Sequence, residues 1–204
     1  ESHYLIKWFA QNITDISSPK IVQMPIGLDY HTISSDPNHW WKIHDEGSKP
    51  VEQESILTNL RQSMKPFDER TCKIFSNIHH KLDRYGDRGG AIGALYNKPD
   101  LIENAATFLS RSQTWGDMCK NSFVLSPFGN GYDCHRTWEA LCLGAIPIVR
   151  AKQFKSLFAD LPVLNVDEWS DVTPELLQTT LREFKQRSFN YEKLTLKYWT
   201  DQFV

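Results

Sequence analysis

The segment 122–150 constrains the fold most, because two short apolar runs there enclose a glycine loop and one helical pattern. The runs are SFVLSP (122–127) and AIPIVR (145–150), and neither alternates between apolar and polar residues. Strands that are apolar on both faces are typical of a parallel sheet covered on both sides by helices. Between them, DCHRTWEALCLG (133–144) predicts a helix that Gly144 ends. The residues of this helix expected to face the core are Trp138, Leu141 and Leu143.

The same rhythm of strands and helices continues on either side. Further strands are predicted at KIVQMPIGLDY (20–30), CKIFSNI (72–78) and PVLNV (162–166). Helical patterns occupy HYLIKWFA (3–10), VEQESILTNLRQSM (51–64), DRGGAIGALYNK (87–98), PDLIENAATFLSR (99–111, with Leu101, Ile102, Ala105 and Leu109 on one face), FKSLFADL (154–161) and TPELLQTTLREFKQRSF (173–189, capped by Thr173). The stretch 31–50 is rich in Ser, Pro, Asp and His and is predicted to be a loop.

These patterns predict an α/β protein with a Rossmann-like, mostly parallel sheet and helices on both faces. A boundary near residues 65–70 divides an amino-terminal region, 1–70, from a strand–helix domain, 71–204. Because 1–70 is too short for a Rossmann-like half and the sequence does not begin with Met, we expect the amino-terminal half to be truncated.

Composition excludes several function classes. A net charge of −2 and a pI near 6.4 argue against a nucleic-acid-binding protein, which usually carries a basic face. No apolar run reaches the length of a membrane span, so no membrane contact is visible. The four cysteines form no CxxC pair and no zinc-like spacing with histidine, which predicts reduced thiols.

The loop FGNGY (128–132) is predicted to join the carboxyl end of a strand to the amino end of a helix. Ligands of open α/β sheets bind at that edge, and the free N–H groups of the helix attract anions. Gly129 and Gly131 allow the backbone to approach a ligand closely, and Asp133 or Asn130 can cap the helix. Arg136 and Glu139 are three residues apart and share one helix face. Two interpretations follow: Arg136 binds a diphosphate and Glu139 a ribose, or the two residues form an ion pair on the surface.

Two nucleotide motifs are absent from this loop. A dinucleotide fingerprint, GxGxxG, requires a third glycine where the chain has Cys134. A P-loop requires Gly-Lys-Ser/Thr, which does not follow. A nucleotide-dependent dehydrogenase is therefore disfavoured.

The stretch SPFGNGYDCHRTWEALCLGAIPIV (126–149) closely resembles the nucleotide-sugar-binding motif of exostosin-like glycosyltransferases of GT-B architecture. FADLPVLNVDEWSDVT (158–173) resembles the strand and linker that follow this motif. The resemblance covers residues 70–185 and extends thinly to IVQMPIGLDYHT (21–32). It implies a donor-binding domain with part of an acceptor domain.

The resemblance also implies roles for single residues. Arg136 would bind the donor diphosphate and Glu139 the ribose, with Arg88 as the second basic residue on the diphosphate. Without the resemblance, Arg88 is equally an exposed turn arginine. The residues implied to shape the loop under the phosphates or the donor sugar are Ser126, Gly129, Gly131 and Asp133.

Such enzymes are typically inverting and metal-independent, so no cofactor is expected beyond the nucleotide-sugar co-substrate. The general base is first sought in GLDYHT, at Asp29 or His31, although either residue is equally structural. Further carboxylate and histidine candidates are Asp36, His44, Asp45 and Glu54, and the base can also lie outside this chain. The adjacent His79 and His80 point to opposite faces if extended, which disfavours a shared metal.

The sequence thus predicts a glycosyltransferase that moves a sugar from a nucleoside-diphosphate sugar, with UDP expected, to a glycan or glycoconjugate hydroxyl. The alternative is a non-catalytic nucleotide- or carbohydrate-binding module on the same fold. Trp40 and Trp41 are candidates for stacking on sugar rings or for the core. Asn12-Ile13-Thr14 is a candidate glycosylation sequon, and the compartment stays open between the cytoplasm and the Golgi lumen.

Overall fold

A computed structural model describes residues 3–36, 38–39, 41–42, 49–78, 83–105 and 108–203. The strands are β1 (Trp8–Gln11), β2 (Ile21–Met24), β3 (Thr71–Ser76), β4 (Ile102–Asn104), β5 (Asn121–Leu125), β6 (Ile146–Val149) and β7 (Leu164–Asn165). The α-helices are α1 (His31–Ser35), α2 (Pro50–Ser63), α3 (Asp87–Leu95), α4 (Arg111–Lys120), α5 (His135–Cys142), α6 (Pro174–Lys185) and α7 (Leu196–Thr200).

Five strands form one parallel sheet in the order β4-β3-β5-β6-β7. Strands β5 and β6 are buried along their whole length, as their uninterrupted apolar runs predict. The sheet and its flanking helices confirm the predicted Rossmann-like α/β fold.

The core has two layers because successive strand residues point to opposite faces of the sheet. On one face, Ile74 and Phe123 pack with the helices α3 and α6. On the other face, Phe75 and Val124 pack with Trp115 of α4 and with α5. Helices therefore cover both faces, as the sequence predicts.

Helix α2 also joins this second layer. It precedes the boundary predicted at residue 70, yet its Leu57 is buried in the same cluster as Phe75 and Trp115. The amino-terminal region thus contributes a helix to the core of the sheet, and the division into two domains stays a prediction.

The predicted helix at 3–10 is wrong. This segment contains β1, which pairs in parallel with β2, and Trp8 lies opposite Ile21. Trp and Phe favour strands, and the pairing with β2 decides the conformation. The predicted strand at 20–30 is confirmed by β2, whereas the loop predicted at 31–50 contains the short helix α1.

The helical face predicted over 99–111 is also wrong. Leu101 and Ile102 belong to the first layer of the core, whereas Ala105 and Leu109 pack against the second. These residues cannot share one helix face, because the chain here forms the edge strand β4. A strand of three residues is too short to show its own periodicity. The helix that follows, α4, was not predicted.

The segment 154–161, predicted as a short helix, is instead a 3₁₀ turn at Lys152–Phe154 followed by turns. Phe154, Leu157 and Phe158 are still buried together, so the apolar spacing reflects burial without a continuous helix. Asp160, with a φ of 63°, lies in the left-handed region that a regular helix excludes.

Several local signals are confirmed. Gly144 follows α5 with a φ of 67°, and the amide of Ala145 donates to the carbonyl of Ala140, which closes the helix end. The Thr173 side chain accepts a hydrogen bond from the amide of Leu176 at the start of α6. The cysteines Cys72, Cys119, Cys134 and Cys142 are all free thiols, as predicted. In the described part of the chain, no helix has the length and apolar character needed to span a membrane.

Candidate functional site

A cavity of about 310 Å³ lies at the carboxyl edge of the sheet, and we call it the edge cavity. Asn77, which follows β3, lines this cavity. Residues of the loop 127–134, which follows the end of β5, and of the first turn of α5 line it as well. This is the edge where open α/β sheets bind ligands. The predicted site residues that line it are Asp29, Arg88, Gly129, Gly131, Asp133, Arg136 and Glu139. Ser126 and His31 do not line it.

Arg136 extends from the first turn of α5 into the edge cavity. Its Nη1 donates a hydrogen bond to Oδ1 of Asn77, whose amide nitrogen donates to Thr114 Oγ1 at 3.0 Å. Burial lowers the pKa of the Arg136 guanidinium, Glu139 opposes this effect, and Arg88 adds to it. Because arginine remains charged at neutral pH, two cations share this wall, and an anion would relieve their repulsion.

Arg88 reaches the same cavity from the first turn of α3. Its Nε donates to the carbonyl of Phe128 at 3.1 Å, and burial lowers the pKa of its guanidinium. A Cβ atom at position 129 would lie 3.0 Å from Nη2 of Arg88, so the glycine at that position allows the close approach. Arg88 is therefore half-buried in the site and is not an exposed turn arginine.

Ser126 supports the loop from behind. It is buried, and its hydroxyl shares a 2.8 Å hydrogen bond with Thr137 Oγ1 on α5. Asp87 supports the loop at Phe128, because its Oδ2 accepts a hydrogen bond from the amide of Phe128 at 2.9 Å. Asp87 Oδ1 in turn accepts from Trp169 Nε1 at 2.8 Å and from Arg150 at 3.1 Å. This buried carboxylate connects the loop to Trp169 and to Arg150, and the sequence analysis missed it.

Asp133 does not cap α5 as predicted. The N-cap is Cys134, without a side-chain cap hydrogen bond. The Asp133 carboxylate instead accepts from the amide of Ile26 and from Trp138 Nε1, each at 2.7 Å. It thereby links the amino-terminal region to the start of α5. Burial raises the pKa of Asp133 to about 6, and these hydrogen bonds only partly compensate.

This shift predicts the pH dependence of stability. With a pKa of 3.8 when unfolded and about 6 when folded, Asp133 binds its proton more tightly in the folded state. Its contribution to the unfolding free energy is therefore largest below pH 4 and falls by about 3 kcal/mol as the pH rises to 6. Asp133→Asn should be less destabilising at pH 7.5 than at pH 4.5, as measured by urea unfolding. A penalty that grows with pH would contradict this assignment.

Asn12 fixes the loop from the amino-terminal side. Its Oδ1 accepts from the Asp133 amide at 2.8 Å, and its Nδ2 donates to the Asp133 carbonyl at 3.3 Å. A Cβ atom at position 131 would lie 2.4 Å from Asn12 Oδ1, which explains the glycine there. The sequon asparagine is therefore packed inside the fold, and a glycan on Nδ2 would meet Gly131.

We expect Asn12→Ala to lower the unfolding free energy by about 1–2 kcal/mol, because two backbone groups lose their partners. Thr14→Ala is the matched control, since it removes the sequon and leaves the Asn12 side chain in place; Thr14 is exposed. Urea unfolding of both variants measures the difference. Equal stability of the two variants would show that the Asn12 contacts contribute nothing.

Asp29 and His31 lie next to the edge cavity in different environments. Asp29 is buried, and its carboxylate accepts from Thr32 and from Arg111. Burial alone would raise the pKa of Asp29, but the Thr32 hydrogen bonds and the Arg111 charge outweigh it and lower the pKa. The side chain of His31 is 74% exposed, and its Nδ1 lies 3.0 Å from Asp29 Oδ1. Of the two, His31 is the one with an exposed side chain.

The other candidate bases are less well placed. Asp36 ends α1, and Glu54 on α2 contacts the Tyr30 hydroxyl; neither lines the edge cavity. His44 and Asp45 lie outside the described residues, as do His79, His80 and Trp40. Trp41 is described and packs over the guanidinium of Arg111, 5.0 Å from the ring centre.

Asp29, His31 and His135 form the one described cluster with metal-ligand atoms close together, within 4.8 Å of one another. His135 Nδ1 lies 2.8 Å from the Gly27 carbonyl, and the Asp29 oxygens are occupied by Thr32 and Arg111. The positive charge of Arg111, 3.3 Å from Asp29 Oδ2, would repel a cation there. We therefore interpret the cluster as a hydrogen-bonded network.

Glu139 pairs with Arg111, which the sequence analysis missed. Glu139 is 9% exposed, and its Oε1 lies 3.6 Å from Arg111 Nη1. The interpretation of Arg136 and Glu139 as a surface ion pair is therefore wrong. Arg111 begins α4, whose capping box of Ser110 and Gln113 was a readable helix-start signal. Asn77 could also have been found, since it lies near the carboxyl end of the strand predicted at 72–78, at the binding edge.

The chain matches no model of a known protein family, and it matches no curated protein. The resemblance of residues 126–149 to exostosin-like enzymes therefore rests on the residues of that motif alone.

Proposed function

We propose that this protein is a glycosyltransferase that uses a nucleoside-diphosphate sugar, with UDP as the expected nucleotide, and transfers the sugar to a glycan hydroxyl. The observation that carries the proposal is the convergence of Arg88 and Arg136 on one cavity beside a glycine loop. The resemblance over residues 70–185 supports it, because both arginines and the loop are the parts that the resemblance assigns to the donor.

The leaving group of this reaction is a nucleoside diphosphate, which gains negative charge as the bond to the sugar breaks. Two guanidinium groups and the first-turn amides of α5 stabilise that charge where it develops. Arg136 is held by Asn77 and Arg88 by the Phe128 carbonyl, so both groups are oriented before the donor binds. Catalysis then needs little reorganisation of the site.

His31 is the proposed general base. Its Nδ1 lies 3.0 Å from Asp29 Oδ1, which leaves Nε2 to take the proton of the acceptor hydroxyl. The acceptor oxygen then bonds to the anomeric carbon from the face opposite the diphosphate, and the bond to the diphosphate oxygen breaks. Asp29 stabilises the protonated imidazole that results. The His31 ring lies 5.8 Å from that of His135, which lines the edge cavity, so His31 stands at its rim.

Two measurements test the proposal. UDP should raise the thermal midpoint of the protein, and NAD at the same concentration should not, because the third glycine of a dinucleotide loop is missing. A UDP-sugar should be hydrolysed slowly without acceptor, with release of UDP. UDP binding without hydrolysis or transfer would favour the non-catalytic binding module, and a lack of UDP binding would overturn the donor site.

A further inference from the structure

We propose that Arg111 is a positioning residue that holds the Glu139 carboxylate directed at the ribose of the bound nucleotide, so that Arg111 determines recognition of the sugar hydroxyls. The inference rests on the proposed function, because it concerns the ribose of the same donor. Arg111 belongs to no motif that the sequence analysis used.

Arg111 is buried, with 7% of its surface exposed, and it lines the edge cavity together with Asp29 and Glu139. Its guanidinium carbon lies over two indole rings, 5.0 Å from the centre of Trp41 and 5.5 Å from that of Trp115. Stacking of this kind fixes the plane of the guanidinium. The group can therefore serve fixed partners on both of its edges.

Those partners are two carboxylates and one amide oxygen from distant parts of the chain. The amide oxygen is Gln53 Oε1, which accepts from Nη1 at 3.5 Å. Nη2 donates to Asp29 Oδ2 at 3.3 Å, and Nη1 contacts the Asp29 backbone carbonyl. Nη1 also lies 3.6 Å from Glu139 Oε1. Without Arg111, two buried carboxylates would share one site without a cation beside them, which is unfavourable and would leave the position of Glu139 unfixed.

The two carboxylates differ in how many further hydrogen bonds they can accept. Asp29 already accepts hydrogen bonds from the amide and the hydroxyl of Thr32 as well as from Arg111. The 3.6 Å contact to Glu139 is an ion pair longer than a hydrogen bond. No described residue donates a hydrogen bond to the Glu139 carboxylate. Glu139 is therefore the acceptor left for a vicinal diol.

The test compares UDP with 2′,3′-dideoxy-UDP by isothermal titration calorimetry on the wild type, Arg111→Met and Glu139→Gln. We expect the wild type to bind UDP about 10-fold more tightly than the dideoxy compound, since a hydrogen bond from a hydroxyl to a carboxylate changes affinity by roughly that factor. In Arg111→Met and in Glu139→Gln the preference should fall to about 2-fold or less, while the affinity for the dideoxy compound stays within about 3-fold.

A merely structural role for Arg111 would weaken both nucleotides together and leave the preference intact, and this result would overturn the inference. A wild type that binds UDP without preferring it over the dideoxy compound would overturn it as well. A wild type that binds neither nucleotide would instead contradict the proposed function. If Arg111→Met does not fold, Arg111→Lys decides. One ammonium cannot contact both carboxylates, so the preference of Arg111→Lys for UDP over the dideoxy compound should be smaller than that of the wild type. An unchanged preference would overturn the inference.

Discussion

Arg136→Ala is expected to weaken the binding of UDP by about 100-fold, because it removes a half-buried guanidinium from the wall where the diphosphate is proposed to lie. The affinity for uridine, which lacks phosphates, should change little. Calorimetric titration of both ligands separates the loss of a phosphate contact from a general loss of the pocket.

Arg182→Ala provides the matched control for this experiment. Arg182 is exposed on α6 and contacts Thr179, so its loss removes the same charge at a position outside the edge cavity. UDP affinity in the control should equal that of the wild type. If Arg136→Ala and Arg182→Ala bind UDP equally well, Arg136 does not contact the diphosphate.

His31→Ala is expected to lower the turnover number for sugar transfer by about 100- to 1,000-fold, which is the usual effect of removing a general base. UDP affinity should stay unchanged, because His31 does not line the edge cavity. Transfer is measured as UDP release in the presence of acceptor, and binding by calorimetry on the same preparation.

The control for His31 is His3→Ala, because His3 is also exposed and lies on the amino-terminal segment before β1. Its turnover number should equal that of the wild type. A His31→Ala enzyme that keeps full turnover would remove His31 from the mechanism and return the search for the base to residues outside the described part of the chain.

The central part of the fold was predictable because its signals are local. The apolar runs of β5 and β6, the glycine after α5 and the Thr173 cap each act within a few residues, and the structure confirms each of them. The edge strand β4 was not predictable in the same way. Its three residues show no periodicity, and pairing with β3 determines their conformation.

The residues of the site also differ in how far the sequence could predict them. Gly129, Arg136 and Glu139 lie on one continuous motif, so the sequence could bring them together. Arg111 lies 28 positions before Glu139 and joins the site only through tertiary contacts, with Asp29 and with the rings of Trp41 and Trp115. The effect of Asp133 was also hidden, because its pKa depends on how deeply the residue is buried.

The hydrogen bonds of Asn12 and Asp133 have a consequence for folding order. They join positions separated by 121 and 107 residues, so they form only when distant segments of the chain have come together. Contacts of such high sequence separation are costly in loop entropy and tend to form late. The parallel sheet can therefore assemble before Asn12 and Ile26 bind Asp133, so the docking of the amino-terminal region against the loop 127–134 is expected to be a late step.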